Sequence, residues 1–153
     1  MQKLYYNYEK FQKDTNKLII KIDTSFEAIL AISRGGLILG QVLGESFNIR
    51  NVLSVNIIGY DDTKQNSSIK IFNLPDLSKY KSILIVDEII DSGNSMKELV
   101  NKINKLYPNL NIKIATLFYK KTASIQPDFT INEANMWIEF FWTKDYQKKK
   151  IYK

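Results

Sequence analysis

The chain has 153 residues, a net charge of +6, 44% hydrophobic and 25% charged residues, and neither cysteine nor histidine. That length suits one domain with a moderate core, and the two missing residue types exclude disulfides, thiolate chemistry and Cys-based zinc sites, leaving proton transfer to Asp, Glu, Lys, Tyr, water or a substrate. No apolar run is long enough to cross a bilayer, and the first residues, among them Lys3, Tyr5, Tyr6, Tyr8 and Glu9, lack the apolar centre of a secretion signal, so the cytoplasm is the expected compartment.

Residues 7–22 carry apolar side chains at Tyr8, Phe11, Leu18, Ile19 and Ile22, the spacing of an amphipathic helix. Residues 28–32 form a short apolar run that reads as a buried strand. Ser33, Arg34, Gly35 and Gly36 follow it. The two glycines permit positive φ or close backbone approach, and arginine offers a fixed fork of donors to phosphate oxygens. A helix is predicted over 37–47, ending near Asn48, and a second strand over 52–60. Residues 61–68 are polar without interruption, which suits a flexible loop or a lid that closes over a reacting ligand and excludes water.

The third strand, Ile83-Leu84-Ile85-Val86, runs straight into Asp87 and Glu88, two apolar residues, Asp91, and the small polar loop Ser92-Gly93-Asn94-Ser95. Met96, Leu99, Val100 and Ile103 then mark a helix that Pro108 helps to end, and a fourth strand covers 112–119. Trp137, Ile138, Glu139 and Trp142 lie near the end, followed by Lys144, Lys148, Lys149, Lys150 and Lys153, a lysine run that reads as a solvated tail rather than a nucleic-acid surface.

Strands alternating with helices predict an α/β fold with a mainly parallel open sheet and right-handed crossovers. Ligands of such sheets lie beyond the carboxyl ends of the strands, where Ser33, Asp61, Asp87 and Lys120 all fall. The order strand, acid pair, small-residue loop, helix puts unpaired N–H groups and hydroxyls at a helix N-terminus, which favours phosphate. The carboxylates beside it suit sugar hydroxyls or a hard cation such as Mg²⁺. A phosphorylated sugar satisfies both halves. The plain alternative is a strand ending in solvated carboxylates before an ordinary capped helix.

The run from Ile83 to Ser95 resembles the phosphoribosyl-pyrophosphate (PRPP) motif of the type I phosphoribosyltransferases. Three further stretches resemble the purine branch, most closely its xanthine-guanine members. Ser33-Arg34-Gly35-Gly36-Leu37 through Gly40 and on to Asn48-Ile49-Arg50 follows that branch's first loop and helix. Phe118-Tyr119-Lys120 resembles the strand end whose lysine bonds the purine 6-oxo group. Trp137-Ile138-Glu139 with Trp142 resembles the closing segment, whose tryptophan stacks on the base and whose following backbone reads the 2-position.

The resemblance implies the type I phosphoribosyltransferase fold, an open, mainly parallel sheet flanked by helices with a small hood formed by the chain termini. It implies one domain over 1–153, with hood segments at about 1–10 and 125–153. The implied reaction moves the 5-phosphoribosyl group of PRPP to guanine, xanthine or hypoxanthine. PRPP would be bound by Asp87, Glu88, Asp91, Ser92, Gly93, Asn94 and Ser95, with Glu88 and Asp87 also holding Mg²⁺. Ser33, Arg34 and Gly35 would hold pyrophosphate, with a non-proline cis peptide bond at Arg34–Gly35. Lys120, with Lys121 as its competitor, would read the purine together with Trp137 and Ile138. Asp91 is the catalytic candidate, partner of the proton at purine N7.

Trp137 could equally be a core or subunit-contact residue, and Trp142 reads as packing. Glu88 stands where that branch has a second Asp, Asn94 where glycine is usual, and Ser92 and Ser95 where threonines are usual. The loop over 61–68 lacks an expected arginine, leaving Lys64 as its basic residue. The expected partners are PRPP, a free purine base and further copies of the chain in a homodimer or homotetramer, with neither membrane nor nucleic acid. Two other readings compete: a non-catalytic PRPP-sensing regulator on the same fold, and a pyrimidine-type phosphoribosyltransferase.

Overall fold

Alternating burial explains the layers of the molecule, a computed structural model that describes residues 1–59 and 68–147. The central sheet has strand order β4-β3-β2-β5-β6-β7. Its strands are β2 (Ala28–Ser33), β3 (Val52–Gly59), β4 (Ile69–Phe72), β5 (Ser82–Ile90), β6 (Asn111–Tyr119) and β7 (Asn132–Glu133). All pairings are parallel except β3 with β4.

Ile29, Leu84, Val86 and Leu117 face one side of the sheet, packed with Phe11 and Leu18 of α1 (Tyr8–Lys21) and Leu39 and Leu43 of α2 (Leu37–Ser46). Leu30, Ile83, Ile85 and Ile114 face the other, packed with Met96, Leu99 and Ile103 of α3 (Asn94–Leu106). Successive strand residues point to opposite faces, so a strand covered on both sides must be apolar throughout. All four residues of 83–86 are accordingly inaccessible to solvent.

The helices follow the predicted spans closely. Asn7 caps α1 by accepting a hydrogen bond from the Lys10 N–H at 2.9 Å. The third strand is longer than expected. Its ladder with β6 continues through Asp87↔Thr116 to Ile90↔Tyr119, so Asp87 and Glu88 lie within β5 rather than beyond its tip. The antiparallel β4, the two-residue β7 and both strands of the hood carry too little local signal to have been predicted.

The hood is a two-stranded parallel sheet of β1 (Lys3–Tyr6) and β8 (Trp137–Phe140), followed by the short α4 (Phe141–Lys144). It begins later than the expected residue 125, because 128–133 belong to the main sheet. The N–H groups of Asp128 and Phe129 both donate to Ile114 O, at 2.9 and 3.0 Å, and β7 pairs with the end of β6. An aromatic cluster joins hood to sheet: the Tyr6 ring meets Phe118 edge-on at 4.9 Å and Phe140 at 5.8 Å. The Tyr6 hydroxyl donates to Asp14 Oδ2 at 2.8 Å, as does Asn132 Nδ2. Burial first, then the bond to Asp14, raises the Tyr6 pKa well beyond its ordinary value. No helix among the described residues is long and apolar enough to cross a membrane.

Candidate active site

Strand order turns at β2: β3 follows on one side, while β5 and β6 lie on the other. A crevice forms beyond the carboxyl ends of an open sheet at such a point. Here β2 and β5 pair only as far as Ala31↔Val86. Gly36 sits between them, so close that an added Cβ would stand 2.3 Å from Val86 O. The non-proline cis bond lies at Ser33–Arg34, one residue before the expected Arg34–Gly35.

Two cavities open from this crevice. The first, about 870 Å³, is lined by Ser33, Arg34, Gly35, Asp87, Glu88 and Ser95. The second, about 650 Å³, is lined by Glu88, Asp91, Lys120, Trp137 and Ile138. Glu88 and Thr143 border both. Ser92, Gly93 and Asn94 line neither; they form the loop that links Asp91 of one cavity to Ser95 of the other.

Glycine at 35 makes room for Glu88. An added Cβ would lie 1.7–2.0 Å from the Glu88 carboxylate atoms, so this carboxylate rests against the bare Gly35 backbone. The neighbouring carboxyl of Asp87 accepts the Glu88 N–H at 2.9 Å. Removal from water raises the Asp87 pKa well above the usual carboxylate value, aided by hydrogen bonding to and repulsion from the Glu88 side chain. Two acids thus meet in one place.

The loop over 91–95 is built around Gly93, which takes the left-handed conformation at φ 83° and abuts the Ser124 and Ile125 backbone. Asn94, in the position where glycine is usual, is simply the first residue of α3 and needs no unusual backbone. The Ser124 N–H donates to Ser92 O at 2.8 Å, and the Asn94 N–H to Ser92 Oγ at 3.3 Å. The first-turn N–H groups of α3 have no intrahelical acceptor and offer an anion-binding end.

In the second cavity Lys120 forms an ion pair with Asp91. Two residues expected in separate roles are therefore partners. The competitor, Lys121, pairs instead with Glu133 at 2.8 Å and does not line this cavity. Trp137 is 56% exposed, an accessible face on the cavity rather than a core residue. Trp142, expected to serve packing, stacks on Phe140 at 4.6 Å and 14° and also lines the first cavity.

Sequence reasoning missed Asn56, Thr143 and Lys144, which also line these cavities, and gave the Glu139 side chain no role. The signal that could have marked Asn56 is a polar side chain within the largely apolar β3, and Glu139 shares the Trp137 face of β8 by strand alternation. Thr143 and Lys144 carried no local signal. Asp61 and Lys64 of the possible lid, and Lys148, Lys149, Lys150 and Lys153, lie outside the described residues.

The family model described as phosphoribosyl transferase domain matches residues 1–149. A xanthine-guanine phosphoribosyltransferase of Idiomarina loihiensis is 30% identical over 120 residues, covering 76% of this chain and 71% of that protein. Among solved structures, the Helicobacter pylori xanthine-guanine-hypoxanthine phosphoribosyltransferase superposes with a TM-score of 0.86 at 36% identity, covering 94% of this chain and 96% of that one. A purine phosphoribosyltransferase from Pyrococcus horikoshii gives 0.82 at 25% identity, covering 100% and 99%.

Proposed function

The chain belongs to the phosphoribosyltransferase family, and on that premise we propose that it transfers the 5-phosphoribosyl group of PRPP to a 6-oxopurine base, giving the nucleoside 5′-monophosphate and pyrophosphate. Its fold is the type I phosphoribosyltransferase fold, and it is an enzyme of purine salvage. The observation that carries the substrate assignment is the pair of adjoining cavities, one rich in anion-binding groups and one with an accessible tryptophan beside an acid–lysine pair, which meet at Glu88. We read residues 1–153 as a single domain with a terminal hood, acting in the cytoplasm as a homodimer or homotetramer.

Ser95 and the first-turn amides of α3 hold the 5-phosphate of PRPP, with Ser92, Gly93 and Asn94 shaping the loop. Ser33, Arg34 and Gly35 hold the diphosphate. Mg²⁺ fits the donor set: Asp87 and Glu88 bring two carboxylates together, and a cation held between them would offset their repulsion. Among the described residues no cluster of three acids completes a cage, so substrate oxygens and water would have to supply its remaining ligands. Held by Asp87 and Glu88, such an ion would supply positive charge to offset that of the departing pyrophosphate.

The bond from ribose C1 to the pyrophosphate oxygen breaks, leaving positive charge on the sugar, which the Glu88 carboxylate at the meeting of the cavities favours. Purine N9 then bonds to C1, and the proton on N7 passes to Asp91. The Lys120 ammonium donates to the 6-oxo oxygen; adenine would present an amino donor to a donor. Trp137 supplies the stacking face, and the Ile138 backbone borders the 2-position. Splitting the Lys120–Asp91 pair gives each ion a partner on the base.

The test incubates the protein with PRPP, Mg²⁺ and each of guanine, xanthine, hypoxanthine, adenine and uracil, following nucleotide formation. Product from 6-oxopurines alone is expected. Product from uracil alone would make the enzyme pyrimidine-type, and PRPP binding without turnover would favour the sensing regulator.

A further inference from the structure

The first cavity has one cation among its described lining residues, Arg34, beside two carboxylates, Asp87 and Glu88. A diphosphate bound there needs neutral donors as well, and Asn56 is the one side-chain amide on the described wall. In the parallel pairing of β2 with β3, Asn56 is the partner of Ser33, on strands about 4.8 Å apart. Ile32 and Val55, the residues just before them, pack on the α3 side of the sheet, so alternation turns Ser33 and Asn56 together to the opposite face. Asn73 engages the amide from the far side of β4. It stands just after that strand at φ 56°, a left-handed backbone that asparagine tolerates, and its Nδ2 donates to Asn56 Oδ1 at 3.1 Å. That bond uses the oxygen of the Asn56 amide and spends neither of its two N–H donors.

Building on the transferase reading above, we propose that Asn56 is a further diphosphate-binding residue of this chain, its Nδ2 donating to a pyrophosphate oxygen of PRPP beside Ser33. Asn73 is the positioning residue that holds the amide with its donors toward the ligand. The group so bound is present in PRPP and in pyrophosphate and absent from the nucleoside monophosphate. Asn56 therefore strengthens PRPP in the forward direction and pyrophosphate in the reverse, and leaves the nucleotide alone. The donor meets the diphosphate before and during departure alike, so the bond is uniform binding, felt in KM for PRPP rather than in kcat.

The test is calorimetric titration with PRPP, pyrophosphate and guanosine monophosphate, each with Mg²⁺, in wild type, Asn56→Ala and the isosteric Asn56→Asp, with steady-state kinetics alongside. Loss of one hydrogen bond to a charged group corresponds to about tenfold. Asn56→Ala should weaken PRPP and pyrophosphate about tenfold and raise KM for PRPP by the same factor, with guanosine monophosphate affinity and kcat within about twofold of wild type. Asn56→Asp keeps the shape and the bond from Asn73 but sets a negative charge beside the diphosphate, and should weaken both ligands about a hundredfold. Asn73→Gly, which removes the side chain without straining a positive φ, should weaken pyrophosphate about threefold in wild type and have no further effect in Asn56→Ala. Unchanged PRPP and pyrophosphate affinities, or equal weakening of all three ligands, would overturn the role of Asn56. An effect of Asn73→Gly that persists without the Asn56 amide would remove Asn73 from the scheme. A wild type that binds neither PRPP nor pyrophosphate would instead overturn the transferase reading itself.

Discussion

Gly35→Ala and Gly36→Ala, one residue apart, should fail in different ways. The atoms nearest the new Cβ at 35 all belong to the Glu88 carboxylate, at 1.7 Å from Oε2, 1.9 Å from Cδ and 2.0 Å from Oε1. These are the far end of a flexible side chain, which can swing away. At 36 the Cβ meets backbone: Val86 O at 2.3 Å, Ile32 O at 3.0 Å and Asp87 Cα at 3.1 Å. There β2 and β5 must separate, at the upper end of overpacking penalties, about 3 kcal/mol. For a chain of this size that lowers Tm by roughly 6–12 °C. Gly35→Ala should move Tm by less than about 3 °C, yet lower kcat/KM by roughly 10²-fold, because a group displaced by an ångström or more no longer meets the reacting centre. Differential scanning calorimetry and steady-state kinetics on both variants separate the effects. A Gly35→Ala protein with wild-type kcat/KM would refute the argument, since the Glu88 carboxylate cannot stay in place beside that methyl group.

Asp91→Asn should cut kcat by about 10²–10⁴-fold while PRPP affinity, measured by calorimetry, stays near wild type; an unimpaired enzyme would remove Asp91 from the proton transfer. Asp87 gives a pH prediction. Its folded pKa is raised above the ordinary 3.8, so its contribution favours the folded state below that ordinary value and is lost as pH climbs through the raised one. Asp87→Asn, neutral throughout, should therefore melt at an increasingly higher temperature than wild type as pH rises from 4 toward neutrality, and parallel Tm–pH curves would contradict the burial argument. Tyr6→Phe deprives Asp14 of a buried donor and should cost about 1–2 kcal/mol in urea unfolding; an unchanged midpoint would mean that Asn132 alone satisfies Asp14.

The legible parts of the fold were those where one residue pattern answers one physical demand. Ile83 to Val86 had to be apolar on both faces because helices cover both sides of the sheet, and the run announced it. Asp87 and Glu88 hid the remainder of β5, since carboxylates after an apolar run look like a turn, and only pairing with β6 carries the strand to Ile90. The hood was out of reach of local reasoning. Its β1 and β8 join residues more than a hundred positions apart, Lys3↔Trp137 through Tyr6↔Phe140. The cradle at 91–95 was visible in small polar residues before a helix, but the packing of Gly93 on the 124–125 backbone was not. Nor was the resting place of the Glu88 carboxylate on Gly35, a contact between two motifs about fifty residues apart.

That distant contact and the hood share a consequence for the site. The wall that carries Trp137 and Glu139 belongs to β8, whose partner β1 contributes Tyr6 to the aromatic cluster with Phe118 at the end of β6. Tyr6 and Asn132 converge on one oxygen of Asp14, tying β1, β7 and α1 together. Lys120, the proposed donor to the 6-position, follows β6 directly and donates its N–H to Ile90 O at 2.9 Å, one residue before Asp91. The three groups proposed as stacking face, 6-oxo donor and proton acceptor therefore rest on a single hydrogen-bonded frame. A frame of this kind favours a base cavity formed before the base arrives, in which binding energy is spent on orienting the purine over C1 rather than on ordering the hood.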